Sequence, residues 1–503
     1  MTKNINKKIL YKSRLALFCS ALCFFIGGSF QTIVQAQPAS TIKNSSNDNF
    51  DQLPNLGSKA GNYLSDFKAE QLGKSFIRRS RFSLPYVYDP ELVDYINRLG
   101  NRLLAVSDDA NKKYNFYLID SNEINAFAVP GGFIAMHTAI LTKSESESEL
   151  ASVIAHEISH VTQGHISRKF ENSRFDTLLT LGALLAAAAA GGADAAQAAI
   201  GLSQASIIDR QLSYSRAFET EADSLGIRLL SRAGFNPGAM PVFFKRLLDE
   251  SRINESNAPE FLRSHPLTIN RIAESAERVR AYPDSGELDE SEFLLMRAKA
   301  RAAYAKNKGQ TVDFFRDQIN KGDDSLATRY GYGLALAENG EFSAARKALS
   351  KLRADYPENI SVRLVQADNE LNAGEIELGL TQLQTLYQEQ NKLNNHLIDI
   401  YYANALVLTK RNQEAIPILR AAIANNPDEP YFHILLSRAY GELGDELASY
   451  QSRGDYHYLQ GHYEFAITQF KRAFTFTKTE YDRARLGARI DAVEQELELI
   501  KNL

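Results

Sequence analysis

Residues 150–165 read LASVIAHEISHVTQGH. Leu150, Val153, Ile154 and Val161 recur at the spacing of one helical face, so Glu147 to Thr162 is expected to form a helix with that face in a core. Ser144 and Ser146 each precede a glutamate by three residues. Either can start a capping box, and the acids suit the positive end of the helix dipole. Within the helix His156 and His160 stand four residues apart, which puts both imidazoles on one face, a turn from each other, where they can share one Zn²⁺. Glu157 projects beside them. Zinc brings the pKa of a water down to about 7, and a glutamate within reach takes the proton during attack on a carbonyl.

The motif leaves the third ligand open. A metzincin would carry glycine at the position of Gln163 and histidine at that of Ile166. Gly164 and His165 fall one residue out of that register, so His165 reads as a helix-end residue rather than a ligand. Residues 215–226, SRAFETEADSLG, put Glu219 and Asp223 on one face of a second helix, which Gly234 and Phe235-Asn236-Pro237 would stop. One carboxylate can bind zinc while the other hydrogen-bonds a ligand imidazole. The competing reading is a solvated acidic face that includes Glu221.

Upstream, Asn115–Ile119, Ile124–Ala128 and Phe133–Met136 are expected as short strands, with Pro130-Gly131-Gly132 as a turn. Downstream, residues 290–503 repeat. Gly340-Glu341-Phe342 with Ala345 recurs as Gly374-Glu375-Ile376 with Gly379, again around Lys410 with Ala415 and Leu419, then at Gly444, then at Gly461 with Tyr463, Ala466, Phe470 and Ala473. The first three intervals are 34, 36 and 34 residues, and the last is half a period. Pro357 and Pro427 each follow their anchor by 17 residues and would end a second helix. This order of small, aromatic and proline positions resembles the tetratricopeptide repeat, whose paired helices stack into a curved solenoid with a concave face for peptides or partner proteins.

The whole chain has 503 residues, 44% hydrophobic and 23% charged. That composition excludes collagen-like, wholly disordered and disulfide-scaffold proteins and implies more than one domain. Residues 1–14 hold five basic residues and no acid, Leu15–Gly28 is uncharged, and Val34-Gln35-Ala36 ends in small residues. This is the pattern of a secretory signal peptide cleaved after Ala36, in preference to a retained anchor, since the apolar core is short for a span. Removing those five of the 57 Lys and Arg leaves 52 against 61 Asp and Glu, a net charge of −9. Such a balance speaks against nucleic acid as a partner. Cys19 and Cys23 leave with the signal, so no cysteine remains to ligate metal. Residues 37–60 read as a flexible lead-in. The uncharged run 178–193 is expected as a packed helical hairpin beside the active site, ahead of a membrane-touching flap or a span.

HExxH followed by ExxxD, with NAFAVPGG (125–132), ETEADSLGI (219–227), GFNPGAM (234–240) and SHPLTINRI (264–272), resembles the zinc metallopeptidase family that includes the CAAX prenyl endopeptidase and the heat-shock protease HtpX. A signal ahead and repeats behind resemble its periplasmic members. The resemblance implies a mainly α protein. Its parts are a signal peptide (1–36), a lead-in (37–60), an α+β zinc metallopeptidase domain with a small β-sheet (61–285) and an α-solenoid of tetratricopeptide repeats (286–503). It further implies one Zn²⁺ per chain held by His156, His160 and Glu219, with Glu157 as general base and Asp223 orienting a ligand histidine. Asn125, Ala126, Phe127 and Ala128 match an edge strand that takes substrate backbone by strand addition, and His265 matches a loop histidine that can cap the zinc. The implied activity is that of a periplasmic endopeptidase, with a chaperone role, of a Gram-negative bacterium. It would act on unfolded or misassembled outer-membrane proteins and dock through its repeats on the barrel-assembly machinery, with peripheral membrane contact through 178–193. The alternative is a repeat adaptor without catalysis.

Overall fold

The computed structural model describes residues 66–166, 215–253, 260–283, 288–390 and 396–501. Residues 1–36, read as a signal peptide, the expected lead-in 37–60 and the apolar run 178–193 lie outside the described residues. Helices α1 (Asp66–Ser83) and α2 (Pro90–Leu104) precede strands β1 (Asn115–Ile119), β2 (Ala126–Val129) and β3 (Phe133–His137). Helices α3 (Thr138–Lys143), α4 (Glu147–Thr162), α5 (Arg216–Arg232), α6 (Ala239–Ile253), α7 (Glu260–Ser264) and α8 (Ile269–Val279) follow.

The sheet order is β1-β3-β2, with β1 parallel and β2 antiparallel to β3. Alternation along the strands divides it into two faces. Phe116, Leu118, Ile134 and Met136 enter the main core with α2 and α4, while Phe133 and Ala135 join Phe76 and Ile77 of α1 in a second core. Helix α1 thus covers the face that α2 and α4 leave bare. Strand β2 begins two residues later than the sequence pattern suggests. The Asn125 carbonyl still accepts from His137 N–H of β3 at 2.9 Å, but the Ile124 carbonyl is taken by the Phe261 N–H at 3.1 Å, outside the sheet.

Helix α4 has the expected bounds but not the expected single face. Every residue from Glu147 to His160 is buried, because α2, α5, α6 and β2 surround it. Its cap is Ser146, whose Oγ accepts from Glu149 N–H at 3.2 Å. The box is not reciprocal. The Glu149 carboxylate accepts from Glu145 N–H at 2.7 Å, and Ser144 instead donates to the Ile140 carbonyl at the end of α3.

The rest of the described chain is helical: α9 (Ser291–Ala303), α10 (Lys308–Asn320), α11 (Leu326–Glu338), α12 (Phe342–Asp355), α13 (Ile360–Ala373), α14 (Ile376–Gln390), α15 (His396–Leu408), α16 (Asn412–Asn425), α17 (Pro430–Glu442), α18 (Glu446–Leu459), α19 (Tyr463–Thr475) and α20 (Glu480–Lys501). Consecutive helices pack in pairs, and the sequence anchors are their turns. Gly340, Gly374, Lys410, Gly444 and Gly461 all have positive φ, and Lys410 (φ 60°) is the one non-glycine residue of that kind among the described residues. Among the described residues no helix is long and apolar enough to cross a membrane.

The helical array is tied to the sheet-bearing part at both ends. One core runs without a break from Val87 through Phe293 to Val365. Lys299 of α9, 5% exposed, lies 3.1 Å from Asp89, contacts Glu91 and donates to the Tyr401 hydroxyl of α15 at 3.1 Å. At the far end α1 is gripped by the last helices. Arg78 pairs with Glu496 at 2.9 Å, and Arg81 donates to the carbonyls of Asp428 (2.9 Å) and Leu459 (3.1 Å).

Removing one partner of a buried ion pair strands the other charge and costs about 3–5 kcal/mol. Lys299→Met is therefore expected to lower the unfolding free energy from urea denaturation by that order, and Lys299→Met with Glu91→Gln to lose less than the single variant. Lys410→Gly is expected to do the opposite. It relieves a left-handed strain of about 1 kcal/mol at a smaller entropic cost of roughly 0.5 kcal/mol, so the same denaturation measurement should show a slight gain.

Candidate metal centre

The centre is built where α5 lies against α4. The approach is close because Gly226 has no side chain: a Cβ there would meet Met240 Cε at 2.7 Å and the backbone nitrogen of His156 at 3.3 Å. Ser215 caps the start of α5 by accepting from Phe218 N–H. At its end Phe235 N–H bonds the Leu230 carbonyl and Gly234 N–H that of Ser231, a Schellman stop with Gly234 at φ +80°. This fixes Glu219 and Asp223 toward α4, and both are buried.

Ligand atoms of His156, His160, Glu219 and His265 all lie within 4.8 Å of one another. His160 Nε2 is 3.0 Å from His156 Nε2 and 3.3 Å from Glu219 Oε1. His156 Nε2 is 3.6 Å from Glu219 Oε2 and 3.2 Å from His265 Nδ1, which is itself 3.1 Å from Glu219 Oε1. Four ligands on a tetrahedral zinc at bond lengths near 2.0–2.1 Å sit about 3.3 Å apart, so these spacings fit that ion. The chemistry of the donors fits as well. Two imidazole nitrogens face each other at 3.0 Å with a carboxylate beside them, a donor set that a shared cation would satisfy.

Around this set lies a ring of supporting groups. Asp223 Oδ1 faces His156 Nδ1 at 3.1 Å, somewhat off the line of the N–H. Arg271 of α8 grips Asp223 through Nε (2.8 Å) and Nη2 (2.7 Å), pairs with Glu219 Oε2 at 2.7 Å and donates to the Pro266 carbonyl at 2.8 Å. Burial works against the guanidinium charge, but Asp223 and Glu219 more than offset it and hold the pKa above its ordinary value. Burial holds His160 well below the usual imidazole range, so it offers a lone pair. Burial also opposes ionisation of Glu219, yet His265 and His160 keep its carboxyl well below the usual range.

Glu157 is fully buried beside the set, 3.5 Å from His265 Nε2, and neither of its oxygens has a hydrogen-bond partner among the described residues. Burial pushes its pKa up. A carboxylate so placed has a raised proton affinity and two unused acceptor sites, which suits proton transfer.

All the sequence-derived ligand candidates therefore converge. Asn125 precedes β2, while Ala126, Phe127 and Ala128 lie in it, and β2 pairs only with β3 in the described sheet, so its other edge is a strand edge. It packs on α4, which carries the histidines. The reading of Glu221 as part of a solvated acidic face does not hold, since Glu221 turns to His165 at 2.9 Å. His165 is not among the converging donors, as expected, but it is more than a helix-end residue: its Nδ1 lies 2.8 Å from His160 Nδ1. The role of Arg271 escaped notice, although its string 264–272 was singled out, because it lies 48 residues beyond Asp223 and nothing local pairs the two. Phe261 escaped for the same reason. Its ring stacks on His265 at 4.7 Å while its N–H holds Ile124.

Residues 90–279 match the model of peptidase family M48. The chain is 33% identical to the β-barrel assembly-enhancing protease of Escherichia coli K12 over 93% of its length and 97% of that protein. It is 34% identical to the putative β-barrel assembly-enhancing protease of Vibrio cholerae over 88% of its length and 92% of that protein. A third relative, the mitochondrial metalloendopeptidase OMA1 of Schizosaccharomyces pombe, is 31% identical over 36% of this chain and 52% of its own. With the buried donor set inside the matched segment and similarity running through the helical array beyond it, the chain belongs to peptidase family M48 and is a zinc metalloprotease.

Proposed function

We propose that this protein is a periplasmic endopeptidase, with an added chaperone role, that acts on unfolded or misassembled outer-membrane β-barrel proteins. The observation that carries the chemistry is the convergence of four buried donors within 4.8 Å of one another, with an unbonded carboxylate beside them. The choice of substrate is supported by the names of relatives that match nearly the whole chain. The domain order supports it too: a signal peptide (1–36), a lead-in (37–60), a peptidase domain (61–285) and tetratricopeptide repeats (286–503). The left-handed turns at the anchor positions support the repeat assignment. We assign docking on the barrel-assembly machinery to the repeats, and peripheral membrane contact to 178–193.

His156, His160 and Glu219 hold the zinc, which when bound supplies Lewis acidity and lowers the pKa of a water to about 7. Glu157 takes the proton from the attacking water, then delivers it to the leaving amine; its burial raises its proton affinity for the first step. Asp223 orients His156, and Arg271 holds Asp223. Substrate backbone pairs with the edge of β2 at Asn125–Ala128, a mode that demands an extended chain and so selects unfolded protein. His265 fills the fourth donor position and lies beside Glu157, so it caps the site until its loop moves.

The purified mature protein is expected to hold one zinc per chain by metal analysis. Glu157→Gln should keep that zinc and lose cleavage of an unfolded β-barrel precursor by at least about 100-fold, the scale of one acid–base group. Equal cleavage by the two proteins would remove Glu157 from the chemistry. His265→Ala should raise basal cleavage of the same precursor in a gel assay. A lower rate would instead give His265 a part in the reaction.

A further inference from the structure

Two side chains of the centre remain unused by the proposed chemistry, His165 and Glu221. Helix α4 ends at Thr162, and Gly164, with a φ of +62°, turns the chain so that the next residue folds back toward the helix. His165 consequently lies with none of its side chain exposed, its ring stacked on Phe218 at 4.4 Å and 10°. Its Nε2 is 2.9 Å from Glu221 Oε2 and its Nδ1 is 2.8 Å from His160 Nδ1. Phe218, Glu219 and Glu221 all belong to α5, so one helix supplies a metal donor and both supports of His165.

We propose that His165, backed by Glu221 and seated on Phe218, is a positioning residue that fixes the tautomer and ring orientation of His160. A carboxylate only accepts hydrogen bonds, so the N–H of His165 belongs on Nε2, facing Glu221. Nδ1 of the neutral ring then carries the lone pair and accepts from His160 Nδ1–H. His160 is left with its lone pair on Nε2, the atom that meets His156 and Glu219. The opposite tautomer of His165 would point a lone pair at the carboxylate and is disfavoured. The two ligand histidines are thus supported differently. His156 faces its carboxylate directly, whereas His160 reaches one through a second imidazole. Partners of this kind tune metal affinity by about 10–100-fold.

The inference rests on the reading of His160 as a zinc ligand, and zinc affinity tests the two separately. The dissociation constant of the mature full-length protein is measured by competition with a chelator of known affinity, for wild type, His165→Phe, His165→Gln and Glu221→Ala. His165→Phe keeps the stack on Phe218 and removes the acceptor, so it should bind zinc about 10–100-fold more weakly. His165→Gln returns a carbonyl acceptor and should recover most of the loss, which a packing role would not require. Glu221→Ala, at a half-buried position that leaves the stack in place, should weaken binding by up to about tenfold and serves if His165→Phe does not fold. Wild-type affinity in His165→Phe, or in Glu221→Ala where only that variant folds, overturns the inference and leaves the zinc reading standing. Binding by His165→Gln no tighter than by His165→Phe overturns it in the same way. A wild-type protein that binds no zinc overturns both.

Discussion

The guanidinium of Arg271 is the contact on which the centre depends. Two carboxylates, Glu219 and Asp223, are buried within one turn of helix α5, and like charges in a dry interior are mutually costly. Arg271 answers both at once, bidentate to Asp223 and single to Glu219, with a further bond to the Pro266 carbonyl. A planar fork can do this where the point charge of a lysine could not. Because Pro266 directly follows His265, the group that stabilises the acidic face also anchors the segment that carries His265.

That loop has a second attachment. Phe261 stacks on His265 and its N–H occupies the Ile124 carbonyl, next to the strand edge assigned to substrate backbone. Phe261 thus ties the segment that carries His265 to the residue two places before β2. Helix α1 adds a longer link. It covers the outer face of the sheet with Phe76 and Ile77, and its Arg78 and Arg81 reach the last helices of the array. Together with the Lys299 cluster at the near end, this makes the helical array a brace around the peptidase part, its first helices sharing the peptidase core.

Much of the site was legible in sequence because helical geometry is local. His156, Glu157 and His160 lie within one turn and a residue of each other, as do Glu219 and Asp223, and spacing alone places each set on a face. The bounds of α4 and the repeat anchors at Gly340, Gly374, Gly444 and Gly461, which the structure shows as left-handed turns, were readable for the same reason. Lys410 was marked as a repeat anchor only because its neighbours kept the period. What stayed hidden were contacts between elements far apart in the chain. Arg271 with Asp223, His165 with Glu221 and Phe261 with Ile124 have no periodicity to announce them.

Sequence by itself determined the donor types, the helices that carry them and the repeating hairpins, since each follows from dihedral preferences and spacing along one element. Tertiary structure alone decided that α4 is buried all round, how near His265 comes to the other three donors, and that Asp223 faces His156 directly while Glu221 reaches His160 only through His165. Burial and charge pairing are sums over all neighbours, and no local stretch of chain contains them.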